Sequence, residues 1–492
     1  MACLHNAEMG AQLVSPQIKH HGGGLLFVNS SHPNDVKKKG TQRSIRSHSI
    51  RGACRGRPSR RRKPQAVTYA LERPYVAADT RSCPDQICEQ IPVSKSLNLW
   101  PFPCELQPRA QELIYFMNAE SDYVFRPFRA VWFSMALTDA TAFQLCMANA
   151  AMFMAQRKQP ETFQYEKCSE TLEYYGKCLG QITKRLESRD DCASDGVIVT
   201  ILGLICHDIY VGLWARWATH IKGLRRIIEL RGGYRNISSN LALWASWYDA
   251  LGSATHDTCP QFPEYMCDLS PACQPVRTPR LEQIICKLIH KDYTPMQPIL
   301  DALDRIREIA DAINTHYQEP EFWRREDDLS PLQSIGPVTH ALLSIPRLDA
   351  VTNDVVDPTE LSREMVRLSM LILLAALKRM YSFFLDETEF TTLTAKFLSV
   401  LSLYRQNSSL YHDDGLMHLE LWAILTVAAL QPFANRWLYV TEIRRYMSYL
   451  DIQFATDAFQ LSRDIAWIDV IGGTDMENES LINAIDNVTP PP

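Results

Sequence analysis

An all-α fold, a large multi-helix body behind a disordered basic N-terminal arm, is what this sequence predicts. Three observations predict it. Composition changes abruptly near residue 97, apolar residues beyond Gln107 recur at spacings of three and four, and no sustained alternation of strand type interrupts them.

The arm comes first in the chain. From Met1 to Leu97 the sequence is rich in Gly, Ser, Pro, His and Arg and has no helical or alternating period. Such a segment buries too little apolar surface to offset the entropy of ordering it, so it is expected to be disordered. Met1 to Arg73 carries 14 Lys and Arg against 3 Asp and Glu, a net +11 that leaves −16 on the remainder of a chain whose total is −5. A basic tail on an acidic body suits a polyanion partner for the tail and a different role for the body.

The body, residues 98–492, is large enough to be stable without disulfides or a structural metal, since a chain of 492 residues buries roughly three quarters of its unfolded surface. Its cysteines are scattered singly. Cys146, Cys178, Cys206 and Cys286 fall on apolar helix faces and are expected to be buried, reduced thiols. The stretch from Met1 to Ser15 lacks the charged start and apolar run of a signal peptide. The apolar runs Val197 to Cys206 and Leu368 to Leu377 fall well short of the ~20 residues a bilayer requires, so no membrane partner is expected.

Helical periodicity marks Asp139 to Gln156, Glu161 to Glu187, Asp195 to Val211, Trp214 to Leu230, Ser238 to Leu251, Pro295 to Tyr317, Thr359 to Leu385, Met417 to Leu430 and a run from Asn435 to Ile471. Two Pro-containing stretches, His256 to Pro279 and Ser330 to Asp357, read as loops. They mark sub-halves at 107–255 and 281–475 that can share one core. Helix and joint lengths vary too much for a repeat array.

One segment is more specific than the rest. In Ala215 to Tyr234, Trp217, Ile221, Leu224 and Ile228 recur at four, three and four and form one face to be buried. Arg216, Lys222, Arg225 and Arg226 are placed on the opposite face. Gly232 and Gly233 follow Leu230 and Arg231 and supply the left-handed conformation that ends a helix. Gly223 lies inside the helix, where it destabilises by about 1 kcal/mol relative to Ala; a close approach by a neighbouring helix is expected there.

The core Trp217, His220, Gly223 and Leu224, with the end Leu230, Arg231, Gly232 and Gly233, resembles the fungal-specific transcription factor domain found behind binuclear zinc-cluster modules. The context resembles it too: Glu166 to Leu186 and Asp195 to Tyr210 stand for the helices before the motif, and Leu241 to Asp249 for the Trp-containing helix after it. The resemblance is best from Pro108 to Gly252 and continues beyond only as a loose helical pattern. It implies a nuclear regulator of a metabolic or secondary-metabolite gene set, not an enzyme. Implied partners are DNA, the transcription machinery or other regulators, with a small-molecule effector as an open alternative. The family's zinc module needs six thiolates beginning with Cys-x-x-Cys. Ahead of the body stand only Cys3, Cys54, Cys83, Cys88 and Cys104, no two of them separated by two residues.

DNA contact would therefore fall to the arm. Lys37 to Lys63 holds twelve Lys and Arg and no acid, a run that attracts phosphate through counterion release. Within it, Arg55, Gly56, Arg57 and Pro58, followed by Arg60, Arg61, Arg62 and Lys63, resemble an AT-hook, in which Gly lets the backbone sink into the narrow minor groove. The plainer reading is a nuclear import signal. Both place the protein in the nucleus. A module that binds partners or a ligand but no DNA is the alternative.

Catalytic and metal readings are weaker. His207-Asp208 resembles the pair of metal-dependent phosphohydrolases, but no histidine lies between His48 and His207 to complete the shell. His256, Cys259, Cys267 and Cys273 match no familiar zinc spacing. Phosphate-loop, dinucleotide, nucleophile-elbow and His-Glu-x-x-His signatures are missing, so neither cofactor nor metal is expected. Trp244, Trp247 and Tyr248 read as core aromatics, and His220 as a helix-packing residue.

Overall fold

Capping residues set where the helices of the body begin and end. A computed structural model describes residues 102–103, 106–119, 132–264, 277–290, 296–319, 322, 329–348, 357–381, 387–407 and 414–487. All of these belong to one compact unit, Ile91–Pro492. The other unit, Met1–Gln90, lies outside the described residues, and with it Arg55 to Lys63.

Helix α1 spans Pro108–Ala119 and α2 Ala140–Lys158; α2 starts where Asp139 accepts the backbone N–H groups of Thr141 and Ala142. After a 3-10 turn, Tyr165–Lys167, come α3, Ser169–Leu186, and α4, Asp195–Val211. Ser194 caps α4 through Val197 N–H, and Gly212, at φ 72°, ends it. Helix α5 is Trp214–Leu230 and α6 is Ser239–His256, the latter capped by Ser238 and ended by Asp257 at φ 50°. Then follow α7 (Pro279–His290), α8 (Gln297–His316), α9 (Ser330–Ser344), α10 (Pro358–Met380), α11 (Thr388–Asn407) and α12 (Asp414–Leu430). The chain closes with α13 (Trp437–Tyr449), α14 (Ala455–Ile465), α15 (Asp469–Gly472) and α16 (Glu479–Asn487). The fold is all-α, and no strand occurs among the described residues.

Helices α4, α6, α10 and α12 are buried on nearly all sides, which is why they read as apolar runs rather than as half-polar stripes. One hydrophobic core extends from Ala110 to Ile485. A small satellite of Leu145, Ala148, Tyr175, Cys178 and Leu204 fills the space between α2, α3 and α4.

Several expectations need correction. Ser330 to Asp357 is not all loop, because Ser330–Ser344 is helical. Pro331 sits in the first turn, where a missing N–H is harmless, and burial of Leu332, Ile335, Val338, Leu342 and Leu343 outweighs the hydrogen bond lost at Pro337. The run Asn435 to Ile471 is three helices. Asp451 in the left-handed region (φ 53°) separates the first two, and extended Ala466 breaks the second from the third. Helix α3 begins at Ser169 rather than Glu161. Cys146, Cys178 and Cys206 are buried, but Cys286 is exposed, since the apolar stripe of α7 runs through Leu281, Ile284, Ile285 and Leu288 instead.

Candidate functional site

The motif helix α5 docks through Trp217, Ile221, Leu224, Ile227 and Ile228. Trp217 lies flat along α6: its Nε1 donates to the Tyr248 carbonyl at 3.2 Å, and its ring stacks on His256 with centroids 5.9 Å apart. Gly252 makes this possible. A Cβ there would stand 2.0 Å from Trp217 Cε2. Gly223, the glycine expected to admit a neighbouring helix, has open space around it instead. The close approach between α5 and α6 rests on Gly252, on the facing helix.

The Leu-Arg-Gly-Gly end is a Schellman stop. Gly232 N–H donates to the Glu229 carbonyl at 3.0 Å and Gly233 N–H to that of Ile228 at 2.9 Å, so both orphan carbonyls are satisfied. Gly232 and Gly233 have φ of 93° and 101°, a region in which a Cβ is strained. Arg231 turns back to pair with Asp195 and to donate to the Ala193 carbonyl, tying this stop to the start of α4. Leu230 is exposed.

Beneath the motif, α2 to α5 share a polar cluster. Asp208 is fully buried, with Oδ1 2.6 Å from an Arg216 nitrogen and Oδ2 2.8 Å from His220 Nδ1. Arg216 also donates to the Tyr175 hydroxyl, its guanidinium 4.6 Å from the centroid of that ring. Arg216 therefore leaves the solvent face predicted for it. The buried carboxylate of Asp208, on the preceding helix α4, demands a cation more than water does. Lys222, Arg225 and Arg226 remain exposed, the two arginines pairing with Glu229.

His207, beside Asp208, lies 2.6 Å from Asn149 Oδ1 through Nδ1 and 2.9 Å from the Tyr165 hydroxyl through Nε2, and stacks on Tyr175. The amide oxygen accepts, so Nδ1 carries the proton and Nε2 accepts from Tyr165. Burial, with Arg216 nearby, pushes its pKa down to about 3, which keeps the ring neutral. With both nitrogens occupied, this pair serves as an interior contact joining α2, α3 and the turn between them to α4. His256 is engaged by Trp217 and the Gly252 carbonyl; Cys267 and Cys273 lie outside the described residues. No cluster of three His, Cys, Asp or Glu able to hold a metal occurs among the described residues.

A pH dependence follows. Neutral His207 binds its proton more weakly in the folded state than in the unfolded chain, near 6.5, so its contribution is present above that pH and is lost as pH falls. By pH 5 the loss is about 2 kcal/mol. Urea titrations at several pH values should give a shallower slope of stability between pH 6.5 and 5 in His207→Gln than in the natural chain. Equal slopes would assign the acid sensitivity elsewhere.

A second charged centre escaped sequence reasoning. Buried Asp257 accepts from both Arg367 terminal nitrogens at 2.9 and 3.1 Å and from Lys396 at 2.9 Å, while Arg347 Nε donates to its carbonyl at 3.0 Å. Glu364 holds the other side of Arg367. Burial pushes the Asp257 pKa up, but Arg367 and Lys396 outweigh it and hold the carboxyl at about 2. The signal available was Arg363, Glu364 and Arg367 in a helix that continues as the apolar run Leu368 to Leu377. Buried charges of that kind need partners.

Among the described residues the helical body is bound internally by an apolar core and by buried ionic contacts, those of Asp208 and Asp257 and the Lys378–Glu389 pair among them. The chain belongs to the family of the fungal specific transcription factor domain, whose pattern matches residues 114–387, more than half of its length. That match runs past Gly252 into the half where the sequence offered only a loose helical resemblance. It takes in the motif and, of the second centre, Asp257, Arg347, Glu364 and Arg367, with Lys396 beyond its end. Among proteins of assigned role, the chain is similar to a phomenoic acid biosynthesis cluster-specific transcriptional regulator of Leptosphaeria maculans, 31% identical over 91 residues. That stretch covers 18% of this chain and 17% of the relative. No solved structure matches. No described helix is long and apolar enough to cross a membrane.

Proposed function

We propose that the protein is a nuclear regulator of a metabolic or secondary-metabolite gene set and not an enzyme, its helical body setting activity and its basic arm providing import and DNA affinity. The observation that carries this is the family match over 114–387, which includes the Trp217 to Gly233 motif. The name of the Leptosphaeria relative favours a biosynthetic gene cluster as the target class. Arg55, Gly56, Arg57 and Pro58 serve as the minor-groove hook, and Arg60, Arg61, Arg62 and Lys63 as the import signal. Partner regulators, the transcription machinery and a small-molecule effector are the contacts assigned to the body. Deleting the gene and measuring transcripts tests the reading as a whole: a coherent set of neighbouring genes should change.

The arm makes its own prediction. The full chain should prefer A·T-rich over G·C-rich duplexes, because the narrow groove concentrates negative potential where Arg55 and Arg57 insert. Arg55→Ala with Arg57→Ala should abolish the preference and lower the log–log salt slope by about 1.8. Affinity indifferent to duplex composition would leave the arm as an import signal alone. In that case Ala at 60 to 63 should still exclude the tagged protein from nuclei.

A further inference from the structure

The Asp257 centre gathers more cations than its carboxylates occupy. Among the described residues, Arg347, Arg363, Arg367 and Lys396 meet the carboxylates of Asp257, Glu364 and Glu360 where the ends of α6 and α9 reach α10 and α11. Asp257 and Glu364 are buried, whereas Glu360 is nearly half-exposed and stands 3.8 Å from Arg363. Hydrogen bonds show where the surplus lies. Arg367 is held on both sides, by Asp257 and by Glu364. Arg363, only 8% exposed, donates from Nη2 to the Pro346 carbonyl at 3.2 Å, and its buried Nε has no acceptor among the described residues. Arg347 donates from Nε to the Asp257 carbonyl and from Nη1 to that of Ile345, and its buried Nη2 likewise has none. Both guanidiniums are therefore anchored on the short stretch 345–347, each with one N–H unused. A cationic N–H withdrawn from water without an acceptor is destabilising, and a bound anion removes that penalty.

We propose that Arg347 and Arg363 form a site for the carboxylate of a small organic acid, one oxygen accepting from Arg363 Nε and the other from Arg347 Nη2. Charge and donor number select the class. Four cations face three carboxylates, so one negative charge balances the group, and two unused N–H groups match two carboxylate oxygens. A phosphate monoester brings closer to two charges and a third oxygen for which no donor waits. The side chains of Arg347 and Lys396 remain 24% and 42% exposed, so the site opens to solvent on their side, and the rest of the acid extends there. The proposal rests on the effector contact assigned to the body above and names its chemistry. Binding is measured on the purified chain, so it can fail while the transcript test succeeds, or the reverse.

Trifluoroacetate is the probe, its fluorine line width measured against the full chain at fixed ionic strength, where the basic arm contributes equally in every sample. Saturable broadening with a Kd of about 1–10 mM is expected for so small a ligand, displaced by acetate and not by chloride. Arg363→Met should remove it. Arg347→Lys keeps the charge of a partly exposed side chain but lacks Nη2, and should weaken binding at least about tenfold while the helical circular dichroism is retained. Arg226→Met, which removes an exposed cation of α5, should leave binding as it is. Acetate should also raise the melting temperature above that in equal chloride, and the gain should vanish in Arg347→Lys. A line width that never saturates overturns the proposal. So does displacement by chloride, displacement by inorganic phosphate but not by acetate, or broadening unchanged in Arg347→Lys.

Discussion

Asp257→Ala should destabilise the body by about 3–5 kcal/mol, the usual consequence of removing one partner from a buried ionic centre. Arg367 is fully buried, and in the variant Glu364 alone would face it. Arg347 also loses its ordered anchor, since the backbone that presents the Asp257 carbonyl is held in the left-handed region at φ 50°. Alanine is strained there by roughly 1 kcal/mol, whereas Asn tolerates the conformation. Asp257→Asn therefore separates the two contributions: it keeps the backbone but removes the charge, and should lose less than Ala by about that amount. Chemical denaturation of both variants measures the difference. An alanine variant within 1 kcal/mol of the natural chain would show that Lys396 and Arg367 find water instead, and the centre would then not hold α6, α10 and α11 together.

The effect should also fade in acid. The Asp257 carboxyl is held at about 2, below its ordinary value, so its contribution is complete above pH 4 and is lost as pH falls toward 2. Natural chain and Asp257→Asn should therefore converge in stability at low pH, the reverse of what a purely steric role would give.

What could be read from the sequence divides along physical lines. Helices α4 and α5 were read to the residue because local chemistry ends them: Ser194 before α4, Gly212 after it, and Gly232 with Gly233 after α5. Helix α9 was not, because Pro331 and Pro337 suggested a loop while the burial that overrides them is tertiary. The same holds for charge. Arg216 looked like one more solvent cation on α5; only the fold places Asp208 beneath it. Asp257 meets partners 90 to 139 residues further along the chain, and no local pattern announces them. Gly223 shows the opposite error, a helical glycine credited with a packing role that belongs to Gly252.

Gly252→Val should be as damaging as any single change in the motif region, and the reason can be isolated. A Cβ at 252 would stand 2.0 Å from Trp217 Cε2 and 2.2 Å from Cζ2, far inside van der Waals contact. The indole cannot simply slide away, since His256 stacks on its ring and the Tyr248 carbonyl takes its N–H. Either the ring leaves its pocket or α5 and α6 separate, and a loss of about 3 kcal/mol or more is expected. Gly252→Ala tests the mechanism more sharply, because helix propensity alone would make it stabilising by about 1 kcal/mol. In the natural chain it should destabilise. In a Trp217→Ala background, itself weaker by about 3–5 kcal/mol, the clash is gone and the same substitution should become neutral or favourable. The double-mutant cycle would then show a coupling of about 2 kcal/mol between the two positions, whereas additive effects would mean that Trp217 and Gly252 do not meet as described.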